Sequence, residues 1–375
     1  MMFDPDRLPE LKELIRHATF GDANLLAEVM DDVALLKQDV RTIQPRNTNR
    51  ISLVASDGGN NQLVFNPFSL QVVRVVDTFG QELVLDVISP SSDTTALGRR
   101  HLDQGTPLGT LMSDLNVTSL ADLSPMIPAR PRSRSWPLVF RDLCEWAALY
   151  DLVTRQTWGG DTLIVRDGLL RAKIFRDDLF VEMYKKIKEA IETTRRTRKR
   201  EIFLVGIAKR SRVIERYRLA MAVQDVFTTG YACYVPVPIS LQTKVYDWDE
   251  YVRSPEDVDD GKENPKFNMG AMHLVRFGDR TGDPVWTVDV LHSEAHRAQQ
   301  VFGSLLDDAQ MGFPVPFYPH CLQEADRHAQ VVDLDLAILQ DSLEEAVREQ
   351  IAADRRHVFD AQRLAVADPA AVRYQ

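Results

Sequence analysis

The feature that most constrains this chain is a change of sequence period, from closely spaced β-runs to an alternation of strands with helices. Between residues 51 and 88 the apolar residues alternate over short stretches: Ile51–Ser56, Gln62–Phe65, Leu70–Val76 and Glu82–Ile88. The Gly-Gly-Asn-Asn at 58–61 reads as a turn, so the region predicts an antiparallel meander. From Trp136 the pattern changes. A helix over 137–153 precedes a strand over 161–166, a helix over 178–193 precedes the strand Ile202–Ile207, and a helix over 212–227 follows. Strands that alternate with helices predict a partly parallel sheet with both faces covered. A β-hairpin over 272–291 and helices near 296–309, 322–332 and 336–352 complete the chain.

The order of three antiparallel strands, helix, strand, helix, strand and helix resembles the ribonuclease-H-like topology. The predicted fold class is therefore α/β, a mixed sheet of antiparallel meander plus parallel strands, flanked by N- and C-terminal helices. Residues 6–39 read as two helices broken at Gly21-Asp22, which gives an N-terminal helical segment over 1–45. The main domain is expected over 46–335, with a loop-rich insert at 89–135 in which 106–123 could hold a small helical piece. A helical tail follows over 336–375, and the acidic, turn-rich stretch 247–266 reads as a mobile loop. No repeat of fixed period is present.

Bulk charge limits the partners. The net charge is -10, from 45 basic and 55 acidic residues, which argues against binding nucleic acid by overall attraction. A local basic groove and a set of acidic metal ligands remain compatible with it. Cys144, Cys233 and Cys321 lie far apart without CxxC spacing, so neither a structural zinc site nor a disulfide framework is expected. The first residues lack the apolar stretch of a signal peptide, and no apolar run approaches about 18 residues. A soluble, cytoplasmic protein is expected.

Three carboxylates stand at chemically useful places. Asp57 and Asp167 each follow a β-run and precede glycine, and Glu145 lies among core-facing residues of the intervening helix. Asp-Gly after a strand is a common turn, so either aspartate alone would be structural. A buried glutamate needs a partner. Phosphodiester hydrolysis gives the three a reason to converge, because two divalent ions held by hard oxygen ligands stabilise charge on both attacking and leaving oxygens.

Five segments, in order, resemble the NurA family of DNA-repair nucleases: VASDGGNN at 54–61, FRDLCEW at 140–146, IVRDGLL at 164–170, FLVGIAKRSR at 203–212 and GFPVPFYPHCLQEADRHAQV at 312–331. The resemblance implies Asp57, Glu145 and Asp167 as ligands of manganese or magnesium, as two ions, with Lys209 close to the scissile phosphate. The family's late histidine motif departs here. Gly312-Phe-Pro stands for Gly-Tyr-Pro and Ala325-Asp326 for Ala-His, which leaves Asp326 as a metal ligand or His320 or His328 as a proton-transfer group. The family pattern further implies a 5′–3′ exonuclease and single-strand endonuclease of DNA-end resection and double-strand break repair, a homodimer working with a hexameric HerA-type ATPase translocase. The chain has no GxxxxGK[ST] loop of its own.

Two basic clusters are candidates for the DNA path: Arg130, Arg132 and Arg134, and the run Arg195, Arg196, Arg198, Lys199 and Arg200 between a helix and a strand. A solvated helix end is the plainer reading of the second. Tyr231, Tyr234 and Trp248 could stack on single-stranded bases or pack inside. Two other readings compete: another ribonuclease-H-like nuclease acting on RNA or hybrids (a ribonuclease H or an Argonaute-like enzyme), and a decayed adaptor that only binds the translocase.

Overall fold

The computed structural model describes residues 7–45, 52–128, 135–227, 230–246 and 267–365. Its strands are β1 (Arg41–Thr42), β2 (Ser52–Phe65), β3 (Phe68–Asp77), β4 (Glu82–Ile88), β5 (Thr162–Asp167), β6 (Ile202–Ala208), β7 (Cys233–Pro236), β8 (Gly270–Arg276) and β9 (Trp286–Leu291). They form one sheet in the order β1-β7-β8-β9-β6-β5-β2-β3-β4. β2, β3 and β4 pair antiparallel, β5 runs parallel to β2, and β6 runs parallel to β5. That half of the sheet, β4-β3-β2-β5-β6, is the ribonuclease-H-like arrangement expected from the order of periods.

β2 differs from expectation. It continues unbroken through Gly58–Asn61, with Asp57 opposite Val76 and Asn61 opposite Val72, and the reversal lies at Asn66-Pro67. Asp57 therefore sits in mid-strand, not at a turn. The valine-rich β3 offers a long ladder, and tertiary pairing outweighs the local turn propensity of Gly-Gly-Asn-Asn.

The insert holds the helical piece expected within 106–123 and more helix besides. It folds into α3 (Thr94–Gln104), α4 (Pro107–Asp114) and α5 (Leu120–Leu123). Asp93 caps α3, Thr106 with Pro107 opens α4, and Ser119 caps α5. Leu108, Leu111, Met112, Leu120 and Leu123 are fully buried in the same core as Trp136, Phe140 and Leu143 of α6 (Trp136–Thr154). α6 is apolar on nearly all sides because the sheet covers one flank and the insert the other.

Strand alternation divides the remaining core. Val54, Val73, Ile164 and Leu204 face α6 and α7 (Leu179–Arg198). Ala55, Leu163, Val165 and Val205 face α10 (Ala298–Gln310) and α11 (His320–Ala329). α7 is longer than expected, so Arg195, Arg196 and Arg198 lie on its last turn, not in a linker. Beyond β6, α8 (Arg212–Val223) packs against α2 (Ala23–Ala34), with Val29 and Val33 meeting Val213 and Tyr217. α1 (Leu8–Gly21) buries none of its residues. α9 (Ile239–Thr243) follows β7. α12 (Asp333–Gln350) and α13 (Arg356–Ala365) cover the far part of β2 and β3 through Leu343, Val347 and Phe359 on Leu63 and Val72. Among the described residues no helix is long and apolar enough to cross a membrane.

Candidate active site

Asp57 shares its face of β2 with Ala55, and Asp167 shares its face of β5 with Val165. The parallel register Ser56↔Arg166 therefore sets the two aspartates next to one another beneath α11. From α11, Asp326 hydrogen-bonds the Asp57 carboxyl. Lys209 follows the last residue of β6, and its Nζ lies 2.8 Å from Asp167 Oδ2 and 3.8 Å from Asp326 Oδ2. The Tyr318 hydroxyl donates to Asp167 Oδ1 at 3.0 Å, and Lys209 Nζ stands 5.4 Å from the centre of its ring. Residues from β2, β5, the end of β6 and α11 thus converge at the carboxyl ends of the parallel strands.

This cluster is short of positive charge. Burial, then the charge of Asp167, then the hydrogen bond that the protonated Asp57 carboxyl donates to Asp326 push Asp57 up from 3.8 to about 6. For Lys209, burial works against the charge, but the hydrogen bond to Asp167 and the three nearby aspartates outweigh it and raise the ammonium. Burial first, then the Asp167 charge, lifts the Tyr318 phenol well above its usual range, so it remains a donor.

Glu145 approaches from the other face. Gly58 points opposite to Asp57, and a Cβ there would lie 2.2 Å from Glu145 Oε1, so the glycine lets this carboxylate reach the strand beside Asp57. Arg141 Nε stands 3.3 Å from Glu145 Oε1, and Arg166 Nη2 3.7 Å from Oε2. Burial raises the Glu145 carboxyl from 4.5 to about 7 against the pull of Arg166, with the charges of Asp142 and Asp57 adding to the rise. Among the described residues no three His, Cys, Asp or Glu form a ready-made group around a metal position. Glu145 lies across the strand from the aspartates, and the Lys209 ammonium already fills the place beside Asp167. The donor set still suits a hard divalent ion: it is all oxygen and crowded, with the Asp57 carboxyl raised by burial and by the Asp167 charge.

The other expected residues fall elsewhere. His320 and His328 flank Glu324 on a different side of α11 from Asp326, at 3.9 and 4.0 Å. Asp326, not a histidine, joins the cluster. The run 195–200 lies at the amino ends of β5 and β6, about 20 Å from Asp167 at ~3.3 Å per residue. Within it, Arg195 is committed to Glu201 and Glu294 at 2.8 and 2.9 Å, whereas Arg196, Arg198, Lys199 and Arg200 are exposed. Tyr234 is buried against Phe302, with ring centres 4.7 Å apart, so it packs in the core and cannot stack on a base. Tyr231 is exposed. Arg130, Arg132, Arg134, Trp248 and the stretch expected to form a mobile loop lie outside the described residues. Sequence reasoning missed Tyr318 and Arg166, whose neighbours are set by tertiary packing; a tyrosine inside the 312–331 segment was the available signal.

No model of a known protein family matches the chain, and no curated protein matches its sequence. By fold it is similar to the crystal structure of the NurA nuclease from Sulfolobus solfataricus, at 13% identity and TM-score 0.45 over 94% of this chain and 99% of that one. It is also similar to a structure of NurA bound to dAMP and manganese, at 9% identity and TM-score 0.41 over 95% and 100%. Likeness at this level assigns nothing by itself; strand order and side chains must do so.

Proposed function

We propose that this chain is a metal-dependent phosphodiesterase that cuts DNA, with Asp57, Asp167 and Asp326 as carboxylates that hold manganese or magnesium. The observation that carries the reading is the convergence of these three aspartates and Lys209 on a ribonuclease-H-like sheet. The chemistry such ions supply is stabilisation of charge on the attacking and leaving oxygens of a phosphodiester. The proton that the raised Asp57 carboxyl holds would be displaced by a metal ion there. Lys209, charged and hydrogen-bonded to Asp167, is the group best placed to meet a non-bridging phosphate oxygen. Glu145, with its carboxyl near 7, can exchange a proton at neutral pH or add an oxygen ligand from across Gly58.

The sequence resemblance extends this reading to 5′–3′ exonuclease and single-strand endonuclease activity in DNA-end resection and break repair. It also extends it to a homodimer that docks on a hexameric HerA-type translocase. A second reading, a decayed adaptor of that translocase, draws on the pairing of the carboxylates with cations of the chain itself: Lys209 on Asp167, and Arg141 and Arg166 near Glu145.

The two separate in a manganese-supplemented assay on single-stranded DNA, duplex ends, RNA and hybrids. Wild type is expected to cleave DNA, and Asp57→Ala and Asp167→Ala to lose at least about 100-fold of that rate, since even residues behind metal ligands are worth about 10–100-fold. Equal rates in all three proteins would sink the site assignment. An inactive wild type that still binds the translocase would favour the adaptor, and cleavage of RNA alone would favour a ribonuclease.

A further inference from the structure

The acidic cluster cannot draw in a DNA strand by itself, and the basic run at 195–200 lies at the wrong end of the sheet. Beside the cluster, however, is a shallow open depression of about 360 Å³. Its wall begins at Gly168 and Leu169, directly after Asp167, and continues through Arg210 and Arg212, directly and nearly directly after Lys209. Adjacent Cα atoms are ~3.8 Å apart, so the backbone of this wall joins that of Asp167 and Lys209 at the ends of β5 and β6. Arg171, Lys173, Arg210 and Arg212 all line it, and none of its described lining residues is acidic.

The four cations are not equivalent. Arg171 is committed to the buried Asp289 by bonds of 2.9 and 3.0 Å. Arg210 and Arg212 are exposed, and among the described residues no carboxylate pairs with either. Ser211 between them caps α8, accepting from Ile214 N at 3.2 Å, so the positive end of the helix also borders the depression. Two uncommitted guanidiniums within three residues, at a helix start and beside a candidate phosphodiester site, form a geometry suited to a phosphate oxyanion.

We infer that this depression holds a backbone phosphate of the DNA strand next to the one being cut, with Arg210 and Arg212 as its anion-binding residues. The inference rests on the phosphodiesterase reading and adds to it a strand path: the substrate runs from the aspartates across the β5 and β6 ends toward α8, and away from the run at 195–200.

The test is the salt dependence of single-strand binding. A labelled single-stranded oligonucleotide is titrated with protein in calcium, from low to moderate potassium chloride, and read by fluorescence anisotropy. Wild type is compared with Arg210→Gln, Arg212→Gln and the double variant, and with Arg196→Gln/Arg198→Gln at the far end of the sheet. Each lost phosphate contact should make the slope of log affinity against log salt shallower by about 0.7. The double variant should therefore lose both slope and affinity while melting at the wild-type temperature, and the far-end variant should lose neither. A double variant that binds with the wild-type slope, or a far-end variant that loses as much, overturns the inference alone. A wild type that binds no DNA overturns it together with the phosphodiesterase reading. Binding of a free mononucleotide as tightly as the oligonucleotide would assign the depression to a nucleotide ligand and overturn the strand path.

Discussion

Asp57 and Glu145 stand back to back across one strand, and burial pushes both carboxyls up, to about 6 and about 7. For Glu145 the cause is burial, which its arginine neighbours only partly offset. A raised carboxyl holds its proton in the folded chain at pH values where the unfolded chain has lost it. Stability is therefore fullest below the unfolded value of 4.5, falls as pH rises toward 7, and stays lowered above that. Glu145→Gln removes this penalty. The variant should match wild type near pH 4 and exceed it at pH 8 by up to about 3 kcal/mol, at ~1.36 kcal/mol per pKa unit; chemical unfolding at the two pH values checks it. A variant less stable at pH 8 would mean that pairing with Arg141 and Arg166 outweighs burial. Asp57, Asp167 and Glu145 stood out in the sequence because an acid between a β-run and a glycine, or on an apolar helix face, is conspicuous. Tyr318 did not, since its bond to Asp167 spans 151 residues.

At the level of elements, the site depends on how closely α11 lies on β2. Arg74 of β3 bonds the His328 carbonyl, Thr78 bonds the Cys321 carbonyl at 3.2 Å, and both hold α11 down. A Cβ on Gly59 would lie 2.2 Å from the Ala329 carbonyl oxygen. That atom is backbone, so Gly59→Ala must push the end of α11 away and Asp326 with it. A loss of about 2 kcal/mol is expected, in the range of overpacking, read as a lower denaturant midpoint. An unchanged midpoint would mean that α11 does not sit this close. The same glycines explain the misread turn. Gly58 and Gly59 carry the composition of a reversal, but the sequence alone does not say that Glu145 and α11 occupy the space where side chains would be.

For the whole molecule, the change of period was enough to give the meander, the parallel strands and the faces they cover. It missed β1 and β7, of two and four residues, because strands so short are defined by the neighbours they pair with. It placed a helical piece within 106–123, where α4 and α5 lie, but missed α3, although its cap residue Asp93 was visible among loop-like neighbours. At the chain's start, α1 buries nothing, and Leu14, Ile15 and Phe20 are 61%, 65% and 72% exposed. Removing residues 1–21 should therefore leave the melting temperature within about 1 °C of wild type, and a fall of several degrees would show that α1 carries stability. The central claim, that the three aspartates form a metal site, is tested most directly by calorimetric titration with manganese at pH 6 in two buffers of different ionisation enthalpy. Wild type should take up manganese and release protons, because the Asp57 carboxyl is raised to about 6, and Asp57→Asn and Asp167→Asn should bind at least about 100-fold more weakly. Manganese uptake of equal strength in the variants, or none in wild type, would contradict the account.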